Sequence, residues 1–262
     1  MVTSVNSKKL QTLDAHSHLR FTANGHQIAK QLEKHNVYLI DTGVTPKDIV
    51  QAESLFSDCE NVFIAPGLHP WWIADKTCTI QDAYRLGQLC SQYKFIGEIG
   101  LDFSDKCLKY QTKDLQTQAF KIICEAAAAS YNNEKHILSI HSVRSASYVL
   151  DILENTGCIQ NCKCIFHWFS GSQEELIRAI DDGCWFSIGN KGLKAKRWKN
   201  YARKIPANRL LIETDMPEKP GDSWSWEKEM QSLTEAKDLL DEYLGYSTSD
   251  VLRQSSIDLC YS

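Results

Sequence analysis

The chain has 262 residues, 43% of them hydrophobic, with 33 acidic and 29 basic side chains and a formal net charge of −4. These proportions are those of an ordinary folded protein, so they exclude a disordered chain, a fibrous repeat and a protein that coats nucleic acid through bulk positive charge. The length suits one α/β barrel of about 250 residues, and a single domain over residues 1–262 is expected.

No apolar run approaches the roughly 20 residues of a membrane helix, and residues 1–12 hold no apolar stretch of signal-peptide kind, which points to a cytoplasmic protein that does not enter a membrane. The ten cysteines are scattered without a repeated pairing and read as buried free thiols. The tightest trio, Cys158, Cys162 and Cys164, lacks the CxxC spacing of a zinc knot and runs into an apolar strand.

Apolar runs bounded by turn residues predict strands in chain order around Leu13 (LQTLDAH), Leu39 (VYLIDTG), Ile64 (VFIAPGLH), Ile96 (FIGEIG), Ile140 (ILSIHS), Phe166 (CIFHWF), Phe186 (WFSIGN) and Ile212 (LLIETD). Helical segments fall between them. Thr45-Pro46 reads as a helix start with proline in its first turn, Gln116 to Ser130 is rich in helix formers, and Glu174 and Glu175 follow Ser170-Gly171-Ser172 where negative charge suits a helix N-terminus. Strand and helix alternating eight times predict a parallel (β/α)8 TIM-type barrel. A doubly wound open sheet is the alternative, but its GxGxxG fingerprint is absent after the first strand. An amphipathic stretch from Glu227 to Leu244 is expected to complete the outer helical layer.

Barrel enzymes carry their chemistry where strands end, and six of these strands end in an imidazole or a carboxylate. The first gives Asp14-Ala15-His16-Ser17-His18, and later ones give His69, Glu98, His141, His167 and Asp215. Side chains alternate along a strand, so His16 and His18 point to one side and form a chelate. Any one of these histidines alone reads more simply as a hydrogen-bonded core residue; their joint occurrence favours a metal centre. Imidazoles with carboxylates suit zinc, manganese or similar ions, and Glu98 has two oxygens with which to bridge a pair of them. Two ions about 3.5–4 Å apart clamp a phosphate and generate a nucleophile from water at neutral pH. Asp215 is the group expected to orient that water and take its proton; its competing reading is a helix N-cap ahead of Pro217.

The segments DAHSHL (14–19), PGLHP (66–70), IGEIGLDF (96–103), IHS (140–142), FHWFSG (166–171) and LLIETDMP (210–217) resemble, in order, the motifs of the TatD-related metal-dependent deoxyribonucleases, members of the amidohydrolase-like barrels. The resemblance implies that His16, His18, Glu98 and Asp215 hold one divalent ion and Glu98, His141 and His167 a second, with magnesium, manganese or zinc as the ions. It implies that His69 contacts the scissile phosphate, and that the substrate is DNA, degraded from a 3′ end. The sequence departs from the family pattern in three places. Val143 follows Ser142 where the family has arginine, with Arg144 one position later as the candidate phosphate contact; Trp168 replaces a small residue at the pocket; and EKPGDSWSWEKE stands where an RNEP-like stretch is usual. HWFSG and GLDFS together are more similar to the TatD-type component of the bacterial Qat anti-phage system than to a housekeeping member, which adds proteins of a defence operon as partners.

From Lys191 to Arg209 eight basic residues occur without an acidic one, with Trp198 and Tyr201 among them. This strip reads equally as a phosphate-binding face and as a solvated helix exterior. Trp71, Trp72 and Trp168 adjoin rim histidines and are candidates for stacking unpaired bases, with core packing as the competing role. RNA is not distinguishable from DNA as the substrate. A small-molecule amidohydrolase is the second enzyme reading, although such enzymes more often carry a carboxylated lysine and no lysine ends the fourth strand. A non-catalytic subunit of a defence complex is the reading from another class, disfavoured by six clustered ligands that a mere scaffold does not need.

Overall fold

A computed structural model describes residues 9–109, 112–130 and 134–261; residues 1–8, on which the expected lack of a leader partly rests, lie outside the described residues. In chain order the elements are β1 (Thr12–Ser17), α1 (Gly25–Lys34), β2 (Val37–Thr42), α2 (Asp48–Leu55), β3 (Val62–Ala65), α3 (Pro70–Ala74), α4 (Ile80–Leu89), β4 (Phe95–Asp102), α5 (Asp105–Leu108) and α6 (Lys113–Ala129). There follow β5 (His136–Val143), α7 (Ala146–Asn155), α8 (Cys158–Asn161), β6 (Cys162–His167), α9 (Gln173–Asp181), β7 (Trp185–Ile188), α10 (Asn190–Leu193), α11 (Lys196–Ala202), β8 (Leu210–Ile212), α12 (Trp226–Leu244) and α13 (Ser249–Tyr261). All eight predicted strands are present, each followed by helix. No helix among the described residues is long and apolar enough to cross a membrane.

The described residues form two compact units. Unit 1 draws on the described residues within 9–41, 50–64 and 186–261; unit 2 on those within 42–49 and 65–185.

In unit 1 the strand order is β3-β2-β1-β8-β7. β1 runs parallel to β2, with Asp14 opposite Leu39, and parallel to β8, with Asp14 opposite Ile212. These strands are buried on both faces, which explains why they appear in the sequence as nearly continuous apolar runs rather than alternating ones. Helix α1 buries Gly25, Ile28, Ala29 and Leu32, a stripe at helical spacing, and α13 packs on β1 and β8. A buried ion pair ties the turn after β1 to β2: Arg20 Nε donates to Asp41 Oδ2 at 2.7 Å and its Nη2 to the Asp41 carbonyl at 2.7 Å.

In unit 2 the order is β6-β5-β4, all parallel, with Gly100 opposite His141 and Ile140 opposite Phe166. The segment after β3 hydrogen-bonds to β4: the Gly97 amide donates to the Pro66 carbonyl at 2.9 Å and the Leu68 amide to the Glu98 carbonyl at 2.9 Å. Gly100 has φ +138°, and a Cβ there would lie 2.1 Å from the His141 carbonyl oxygen, so the β4 backbone approaches β5 as only glycine permits. Helix α9 starts after Ser170-Gly171-Ser172 with Glu174 and Glu175 in its first turn, as predicted, and the structure adds a capping box between Ser172 and Glu175.

Two expectations need correction. The helix predicted from Thr45-Pro46 begins at Asp48, because the Asp48 carboxylate accepts the Val44 and Thr45 amides at 3.0 and 2.9 Å and holds residues 44–47 as a turn. The C-terminal region holds α13 as well as the expected amphipathic helix; Asp241 in the last turns of α12 accepts the Thr248 amide at 2.7 Å and so fixes the start of the additional helix.

Candidate functional site

Unit 1 carries three of the predicted ligands. His16 lies near the end of β1, His18 follows that strand, and Asp215 lies on the turn after β8. The imidazoles of His16 and His18 meet edge to face with centroids 5.0 Å apart. Asp215 Oδ1 lies 3.7 Å from His16 Nε2 and 3.5 Å from His18 Nε2. These separations exceed those of good hydrogen bonds and approach the ~3.3 Å expected between neighbouring ligands of a tetrahedral ion with bonds of ~2.0–2.1 Å. Two nitrogens and an oxygen so spaced fit a divalent cation.

Main-chain bonds hold this spacing. The Asp215 amide donates to the His16 carbonyl at 2.9 Å and the His18 amide to the Met216 carbonyl at 2.8 Å. Behind the ligands Asp14, fully buried, accepts from the His16 amide at 3.2 Å, the Thr214 amide at 3.0 Å and the Thr214 hydroxyl at 2.5 Å. Its neighbour Glu229, buried on α12, accepts the Trp224 indole N–H at 2.5 Å. Burial and then the adjacent Asp14 charge push Glu229 well above the usual carboxylic range, so Glu229 keeps the proton while Asp14, with three donors, is the better anion.

Unit 2 carries the other three, Glu98, His141 and His167, together with His69. Glu98, buried in β4, presents Oε1 to three imidazoles: His69 Nε2 at 3.0 Å, His141 Nδ1 at 2.9 Å and His167 Nε2 at 2.9 Å. The two ring nitrogens of each histidine are distinct. His69 caps α3, its Nδ1 accepting the Trp71 amide at 3.0 Å, so its proton sits on Nε2 and that atom is a donor rather than a ligand lone pair. Burial, more than its neighbours, lowers the His69 pKa, which keeps this ring neutral.

His141 is arranged the other way. Its Nε2 lies 3.2 Å from Asp102 Oδ2, and its Nδ1 faces Glu98. Burial alone would lower its pKa, but the hydrogen bonds it donates to Asp102 and Glu98 and the charges of those carboxylates outweigh burial and raise it to about 9, so a cation taking Nδ1 would displace a proton there. Asp102 is held well below the usual carboxylate range: its burial opposes this, and contacts with His141, Ser104 and Trp71 overcome it.

The remaining predicted residues are placed as follows. Trp168, next to His167, is 36% exposed at φ +41°. Arg144 has φ +53° and pairs through Nη1 with exposed Asp105 at 2.9 Å. Trp71 is 43% exposed, with Lys106 Nζ 4.3 Å above its ring. In the basic strip Trp198 is 1% exposed and Tyr201 is buried too. They are core residues of α11 and offer no stacking surface, whereas Lys194, Lys196, Arg197 and Lys199 are exposed. All ten cysteines are free and buried, and burial pushes the Cys59 and Cys78 thiols up to about 11, as expected of structural thiols.

Sequence reasoning missed Asp102 and the Asp14–Glu229 pair. Asp102 had a signal, lying four residues beyond Glu98 and so on the same side of an extended strand. Glu229 had none, since Glu227 two residues earlier looks equivalent.

The geometry agrees with three comparisons. The model of the family described as TatD related DNase matches residues 13–248. The chain is 28% identical over 213 residues to the metal-dependent hydrolase YabD of Bacillus subtilis, covering 78% of this chain and 79% of that protein. It is 26% identical over 182 residues to the 3′-5′ ssDNA/RNA exonuclease TatD of Salmonella typhimurium, covering 67% and 66% of the two. The crystal structure of YjjV, a TatD homologue from Escherichia coli K12, matches with a TM-score of 0.75 at 19% identity, over 96% of this chain and 98% of that one, and shows the fold to be the predicted (β/α)8 barrel. With its motifs in order, clusters of side chains that could hold a metal ion and a family match across most of its length, the chain belongs to the TatD-related DNase family of metal-dependent hydrolases.

Proposed function

We propose that the chain hydrolyses phosphodiester bonds of DNA from a 3′ end, using two divalent ions, and that it does so in the cytoplasm in anti-phage defence. The observation that carries the reading is the convergence of three imidazoles on one buried Glu98 oxygen, at 2.9–3.0 Å. So many imidazoles around one carboxylate are costly to bury for packing alone and are the usual donors of zinc or manganese sites.

His16, His18 and Asp215 form one donor set, and Glu98, His141 and His167 the other. An ion held by such donors supplies Lewis acidity to a phosphoryl oxygen and lowers the pKa of nearby water. Asp215 orients the attacking water and accepts its proton. His69, with its proton fixed on Nε2 by the Trp71 amide, donates to a phosphate oxygen and stabilises the charge that builds there. Arg144 exchanges its exposed partner Asp105 for a neighbouring phosphate, and the half-exposed rings of Trp168 and Trp71 offer faces to unpaired bases. The Salmonella relative's action on single-stranded DNA and RNA fits such faces. The likeness of HWFSG and GLDFS to the Qat component supports the defence role.

The test uses end-labelled single-stranded DNA and RNA oligomers with manganese or magnesium. The protein should shorten DNA stepwise from the 3′ end, and a chelator should stop it. His141→Ala and Asp215→Ala should fold yet lose at least about a hundredfold in rate, and His141→Ala should lose protection in a plaque assay. Undiminished cleavage by either variant, or in the presence of chelator, refutes the reading.

A further inference from the structure

We infer that Asp102 is a positioning residue that, clamped by the Trp71 indole and the Ser104 amide, fixes the His141 ring with Nδ1 presented as a ligand atom. Trp71 therefore acts on metal binding through its N–H, apart from any use of its ring face. The inference rests on His141 being a metal ligand, as proposed above.

The register of two strands sets the arrangement. His141 on β5 lies opposite Gly100 on β4, midway between Glu98 and Asp102. One ring nitrogen reaches each carboxylate, Nδ1 to Glu98 at 2.9 Å and Nε2 to Asp102 at 3.2 Å. A neutral imidazole has one N–H, and whichever nitrogen donates it leaves the other as the ligand. Nothing on the ring itself decides between the two. Asp102 decides it by being an acceptor that no ion need displace, and an imidazole so partnered is also a more basic ligand.

Asp102 is itself held from both ends. Its Oδ1 accepts the Ser104 amide at 2.8 Å, and its Oδ2, the oxygen that faces His141, accepts the Trp71 indole N–H at 2.6 Å. Its own amide donates to Gln116 of α6 at 2.8 Å. Trp71 would be better buried on hydrophobic grounds alone, yet 43% of it is exposed. Its N–H bond to a buried carboxylate accounts for the ring standing where it does.

The experiment measures Mn2+ affinity of the full-length protein by electron paramagnetic resonance, without nucleic acid, alongside the melting temperature in chelator. Asp102→Asn should weaken one class of Mn2+ site by about 10–100-fold, the range for loss of a partner behind a ligand. Trp71→Phe, which keeps an aromatic face and removes the N–H, should weaken the same class by about tenfold, the low end of that range. A purely structural role would lower the melting temperature and leave the affinity of the folded protein unchanged. Should Asp102→Asn fail to fold, Trp71→Phe decides alone, since its half-exposed ring is replaced without a buried void. Wild-type affinity in Trp71→Phe, with His141→Ala weakened, overturns the inference; wild-type affinity in His141→Ala as well overturns the ligand reading beneath it.

Discussion

In unit 1 the imidazoles of His16 and His18 stand 3.7 and 3.5 Å from Asp215, whereas in unit 2 three imidazoles draw to 2.9–3.0 Å of one Glu98 oxygen. The first set takes its spacing from the backbone: the Asp215 and His18 amides bond to the opposite strand end, and Asp14 grips Thr214 from behind. The second takes its spacing from charge, each imidazole held by a carboxylate. Groups ordered by main-chain bonds take their separation from the backbone, while groups ordered by charge are drawn to hydrogen-bond distance of one another.

The sharpest way to break that contrast is to neutralise the carboxylate in each unit and measure stability by urea unfolding in chelator. Glu98→Gln removes the anion from three imidazoles and should cost about 2–3 kcal/mol, in the range of buried hydrogen bonds to a charged group. Asp215→Asn, partly exposed and at longer distances, should cost under about 1 kcal/mol. Equal losses would show that the different spacings carry no energetic distinction.

The same contrast governs what could be read beforehand. His16 and His18 were legible because a strand has period two, and Glu98, His141 and His167 because a polar residue closing an apolar run is conspicuous. Buried parallel strands are apolar throughout, so all eight stood out from the helices. What escaped depended on partners distant in sequence. Asp102 lies two residues past the segment FIGEIG taken as the strand, and its importance needs the Gly100–His141 register and the Trp71 indole. Trp198 sits among cations yet is buried, because one residue's shift around a helix of 3.6 residues per turn separates core from solvent. Glu229 is buried because Asp14 and Trp224 receive it, while the otherwise similar Glu227 is not among the buried residues.

That glutamate yields a smaller test on the backbone-ordered side. Its folded pKa is raised above the usual 4.5, so its contribution to stability is complete below that value and lost as pH rises toward the folded pKa. Glu229→Gln supplies an N–H toward Asp14 at every pH and has no proton to lose. Melting temperatures of the two proteins in chelator should agree near about pH 4 and separate by a few degrees as pH rises to about 8, with the variant the more stable. A gap that does not change with pH would show that Glu229 is already ionised in the folded protein.

The units also differ in what they show to solvent. Unit 1 exposes the cations Lys194, Lys196 and Arg197, and unit 2 the indoles of Trp71 and Trp168. Contacts to phosphate release counterions and so depend on salt, whereas stacking does not. Replacing Lys194, Lys196 and Arg197 together with Ala should flatten the salt dependence of single-stranded DNA binding by about 2 in log–log slope, from about 0.7 per phosphate contact. The loss should fade at high salt, which makes it the smallest of these effects under most conditions. Trp168→Leu should weaken binding by the same factor at every salt concentration. An unchanged slope in the triple variant would leave the basic face of α11 as a solvated helix exterior and the aromatic side of unit 2 as the one holding the strand.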